Sequence, residues 1–164
     1  MTTATPPPQE ATNNVWTPDF SHLEISEATA RFDMPWVSPG AYLTVRTAMP
    51  ENEDYQAASL RMSGNRQQAI ALAGRLTNED ADEDRKEDRV LYPKYVVVGM
   101  GGVLNKKTSK EVPDTAENRR ALVKALPRWI FDKLRLFCMR PERFLSPEDL
   151  DEQRQPNAGV VAGN

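Results

Sequence analysis

The chain has 164 residues, 39% of them hydrophobic and 27% charged, with 24 acids against 21 bases, one histidine and one cysteine. Such a composition describes a single soluble domain with one modest core, and a lone Cys138 excludes both an intramolecular disulfide and an all-cysteine metal site. No apolar run approaches the roughly 20 residues of a transmembrane helix, and the N-terminus lacks the basic start and apolar centre of a signal peptide, so the expected compartment is cytoplasm.

Residues 1–37 are expected to form a flexible or loosely docked N-terminal segment, because Thr, Pro, Asn and Gln dominate its first half and show no periodicity. Trp16 and Phe20 are expected to dock onto the domain. A turn at Ser38-Pro39-Gly40 introduces 41–48, where Tyr42, Thr44 and Arg46 alternate with Leu43, Val45 and Thr47, the pattern of a half-buried strand. A helix opening at Pro50 and Asn52 carries acids in its first turn, where the helix dipole favours them. SGN, 63–65, is expected to break it before a second amphipathic stretch that places Ala69, Ile70, Ala73 and Leu76 at helical spacing. The run NEDADEDRKEDR, 78–89, has seven acids, three bases and nothing apolar larger than alanine; it reads as an acidic, solvated linker.

A strand is predicted over 90–98, ending in the glycines of GMGG. No helix opens after them and no Gly-Lys-Ser/Thr follows, so they read as a bend in a small sheet and not as a phosphate cradle. Asp114 with Glu117, or Thr115 with Asn118, caps the next helix. Its apolar positions Leu122, Val123, Ala125, Leu126, Trp129, Ile130, Leu134 and Phe137 form one broad face, and Pro127 either kinks it or restarts it. Ser146-Pro147 signals a last short helix, which with a flexible C-terminal tail makes up 146–164.

Catalytic side chains are scarce. His22 lies in a weakly structured region, and Cys138 near a helix C-terminus is expected to be inert packing. No catalytic, cofactor-binding or metal-binding residue is nominated. The segment 119–143 carries eight bases against two acids. Arg120, Lys124 and Arg128, spaced by four, fall on one helical face that would suit an acidic protein; nucleic acid ranks behind it because no aromatic platform interleaves with the bases. Trp129 is expected in the core, and Phe131, off the main face, is the better contact candidate.

The order of elements from Tyr95 to Phe144 resembles that of the tail assembly chaperones of long-tailed bacteriophages. Carrying the resemblance are the strand, the glycine bend, Glu111-Val112-Pro113, the cap Thr115-Ala116-Glu117-Asn118-Arg119 and the run Ala125-Leu126-Pro127-Arg128-Trp129-Ile130-Phe131-Asp132-Lys133-Leu134. The earlier GAYLTVR and the glutamine- and alanine-rich helix extend it over about 38–145. It implies a non-enzymatic role in the host cell cytoplasm: coating the tape measure protein and recruiting tail tube subunits, with no cofactor and no membrane. Arg120, Lys124, Arg128, Trp129 and Phe131 are the nominated protein-binding residues. A structural component of the virion is the alternative, a small nucleic-acid-binding regulator comes third, and a second copy of the chain is a further candidate partner. The expected fold is α+β, a small antiparallel sheet packed on several short helices, with one domain over 38–145 and flexible tails.

Overall fold

Ala30, Phe32 and Met34 alternate with polar residues, and this period of two forms a short edge strand, β1 (Ala30–Asp33). The computed structural model describes residues 16–25 and 28–145. β1 pairs antiparallel with β2 (Tyr42–Val45), and β2 pairs antiparallel with β3 (Val97–Gly101), giving the sheet order β1-β2-β3. The register puts Phe32 opposite Leu43 and Leu43 opposite Met100, so one buried row crosses the sheet. The expected alternation of β2 holds: Leu43, Val45 and Thr47 are buried, while Tyr42, Thr44 and Arg46 are half-buried.

Two assignments over the N-terminal segment are corrected here. The domain begins before residue 38, since β1 comes from the 1–37 segment and Met34 is wholly buried. Three apolar positions were too few to distinguish a strand from its polar surroundings. Trp16 and Phe20 are exposed and do not dock.

The glycines after β3 serve the backbone. A Cβ on Gly101 would meet the Tyr42 ring at 2.5 Å, and one on Gly102, at φ +64°, would fall 2.2 Å from the Gly40 carbonyl oxygen. The Gly102 amide donates to Glu111 Oε1 (2.9 Å), leaving it nothing to offer a phosphate. Ser38 ties this bend to the turn after β1, donating to the Gly102 carbonyl (2.8 Å) and accepting from the Leu104 amide (3.2 Å). Beyond it, 103–112 folds back on itself through Leu104 and Glu111.

The first two helices are longer than expected. α1 (Glu53–Ala73) starts at Asn52, whose buried side chain accepts from the Tyr55 amide and donates to the carbonyls of Thr47 and Tyr95. SGN does not break it: Ser63 donates to the Ser59 carbonyl within the helix, and α1 ends at Gly74 in the left-handed conformation. The predicted acidic linker and the start of the predicted strand are both helix, α2 (Asn78–Tyr95), opened by a capping box of Thr77 and Asp80. What stabilises its acids is remote pairing. Arg66 of α1 clamps Glu87 (2.5 and 2.8 Å) and Asp84.

α3 (Ala116–Ala125) is capped by Thr115, which accepts from the Asn118 amide (3.1 Å); Asp114 pairs with Arg119 instead. Pro127 separates α3 from α4 (Arg128–Cys138), and its carbonyl accepts from the amides of Ile130 and Phe131. α4 buries Ile130, Phe131, Leu134 and Cys138, with Phe131 edge-on to Tyr92 of α2 and Phe137 edge-on to Phe32 of β1. A 3₁₀ turn at Pro141–Phe144 buries Phe144. The fold is thus a three-stranded antiparallel sheet packed against several helices. The predicted helix from Ser146 lies outside the described residues.

Candidate protein-binding surface

Paired charges join the helices, and they determine which basic side chains remain available. Asp88 of α2 is buried; it accepts from Tyr55 of α1 (2.7 Å) and from Arg135 of α4 (2.6 Å). Burial pushes its carboxyl above the ordinary carboxylate value, and burial together with Asp88 pushes the Tyr55 phenol up. Arg85 of α2 pairs with Asp132 of α4 (2.8 Å) and Asp82 (2.6 Å). Arg89 donates to the carbonyls of Val123 (2.8 Å), Lys124 (3.2 Å) and Leu126 (2.9 Å), so a guanidinium closes the C-terminal end of α3 while lying over the Phe131 ring.

The predicted stripe divides at Pro127. Arg120 and Lys124 are exposed on α3, whereas Arg128 begins α4 and reaches Asp82 (3.5 Å) and Asp132 (3.9 Å). Phe131 is 0% exposed and belongs to the core, which removes it as a contact residue. The restart of the helix at Pro127 rotates α4 relative to the continuous pattern, turning Phe131 inward and Trp129 outward. Trp129, expected in the core, is 49% exposed.

Beside Trp129 stands a residue that the sequence did not single out. Trp36, in the turn after β1, is 52% exposed and meets Trp129 edge to face, with ring centroids 5.0 Å apart and planes at 72°. Lys133 lies 5.8 Å from the Trp36 ring centroid. Lys133 and Leu136 follow Trp129 at the four- and seven-residue spacing of one helical face, and Leu136 is 59% exposed. Trp36, Lys133, Leu136 and Arg140, with Phe32 and Phe137, line a groove of about 280 Å³. Two half-exposed indoles, an exposed leucine and flanking cations form an amphipathic contact surface of the kind enriched at interfaces. Trp36 was missed because its turn lies in the segment set aside as flexible; its only sequence signal was a tryptophan between the apolar Phe32 and Met34 and the Ser38-Pro39-Gly40 turn.

Cys138 is buried, and burial pushes its thiol up, away from nucleophilic chemistry. Among the described residues no three His, Cys, Asp or Glu side chains gather as a metal site, and no helix is long and apolar enough to cross a membrane. Comparison of the chain with protein families, curated proteins and solved structures found no match in any of the three.

Proposed function

We propose that the protein is a tail assembly chaperone of the long-tailed bacteriophage type, acting by protein binding in the host cell cytoplasm. It covers apolar helical stretches of the tape measure protein and brings tail tube subunits to them. The observation that supports this reading best is the exposed Trp36–Trp129 pair with Leu136 and Lys133, since an amphipathic helix can lay an apolar side chain against the outer faces of the paired indoles and an acid beside the lysine. The proposal also draws on the order of strand, glycine bend, hairpin and Pro127-interrupted helices, which is the order that carried the resemblance.

Co-expression with the tape measure and tail tube proteins of a long-tailed phage is the test. The expected result is co-purification of the chaperone with the tape measure protein and its absence from purified particles. Stoichiometric copies in finished particles would instead make it a virion component, and failure to co-purify with either protein would end the chaperone reading.

A further inference from the structure

We infer that the groove between α2 and α3 is a second binding site, and that it takes a short acidic peptide segment of a protein partner carrying an aliphatic side chain among its carboxylates. Lys86, Arg89, Val90 and Lys94 of α2 and Arg120 and Lys124 of α3 line a groove of about 530 Å³. Lys86, Val90 and Lys94 repeat every four residues and so lie along one side of α2. Val90 is 49% exposed and gives the groove an aliphatic contact point. Lysine and arginine stems extend that apolar lining while their charges stay in water.

The charge arrangement carries the inference. The arginines at 31, 46, 66, 85, 119, 128 and 135 each meet an acid of the same chain, whereas a smaller set, among them Lys133 and Arg140 beside the tryptophans, is left for outside contacts. In the groove, Lys86 reaches Glu83 and Arg89 is held by the carbonyls at the end of α3, but Lys94, Arg120 and Lys124 meet no acid among the described residues. Cations gathered without acids in a chain of net charge −3 are repulsive unless an anion arrives.

The geometry favours a peptide over a nucleic acid. No aromatic side chain lines the groove, so bases have nothing to stack on. Arg89 has its guanidinium committed to the α3 carbonyls, so an anion in the groove is met by Lys94, Arg120 and Lys124. At its Lys86 end the groove closes on the Lys86–Glu83 pair, so the unpaired cations span only Lys94, Arg120 and Lys124, a length that suits a short anionic segment. The inference is independent of the tail-assembly reading.

A fluorescein-labelled dodecapeptide of leucines separated by pairs of glutamates is titrated into the full chain at low salt. The same is done with its glutamine counterpart and with a thymidylate dodecamer, while the Val90 methyl resonances are followed by NMR. Saturable binding of the acidic peptide is expected, about tenfold tighter than the glutamine peptide and the thymidylate, with the Val90 methyls shifting. Lys94→Glu combined with Lys124→Glu should abolish it, and the single Lys94→Gln, at an exposed side chain without an acid partner, should weaken it with unchanged circular dichroism. Equal binding of the glutamine peptide, tighter binding of thymidylate, no saturation, or shifts that leave Val90 still would each overturn the proposal.

Discussion

The two sides of α2 use charge in opposite ways. Toward α1 and α4, Asp84, Glu87 and Asp88 each accept from an arginine of another helix, Arg66 or Arg135, and these pairs hold the helices together. Toward α3, Lys94 faces Arg120 and Lys124 with no carboxylate among them. One helix therefore separates charge that builds the fold from charge left for something outside it. The Trp36–Trp129 face repeats the lesson in apolar terms, because Phe131, two residues from Trp129, is completely buried while both indoles stay half in water.

Mutation should separate the two sides, and the largest effect belongs to the paired one. Asp88→Ala leaves the Arg135 guanidinium and the Tyr55 hydroxyl without their buried acceptor, and urea denaturation should show a loss of about 3–5 kcal/mol. Arg89 sharpens the division, since it lines the groove yet serves the fold: Arg89→Ala should cost about 1.5–3 kcal/mol by removing a charged donor from the α3 carbonyls. Trp129→Ala forfeits an edge-to-face contact and should cost about 0.5–1.5 kcal/mol of stability. Smallest of all, Lys94→Ala, Arg120→Ala and Lys124→Ala should each change the unfolding free energy by less than about 0.5 kcal/mol. A loss at Lys94 as large as that at Asp88 would break the comparison.

Local pattern was sufficient where adjacent residues carry the signal themselves. β2 was legible because Leu43 and Val45 alternate with polar neighbours, the glycine bend because no helix followed it, and the start of α3 because Thr115 and Asn118 offered a cap. α2 was not read as a helix because its first turns have almost no apolar residues; their stabilisation comes from Arg66, 18 to 21 residues earlier, and from Asp132, 47 residues after Arg85. A Thr-x-x-Asp capping box at Thr77 was the available clue. Losing α2 also hid the groove, as Lys86 and Lys94 had been placed in a linker and a strand. At the tryptophan face, a restart at Pro127 was one of the two readings of that proline, but the apolar face from Leu122 to Phe137 was still drawn as continuous across it, and this exchanged the environments of Trp129 and Phe131.

The central claim is that the exposed indoles exist for a partner and not for the fold. Calorimetric titration of a tape measure protein fragment into the wild-type chain and into Trp36→Ser/Trp129→Ser tests it, with thermal unfolding of both proteins alongside. The account predicts that the double variant stays folded and binds about thirtyfold or more weakly, the loss of about 2 kcal/mol or more expected of a buried tryptophan anchor. Undiminished binding by a folded double variant would contradict it.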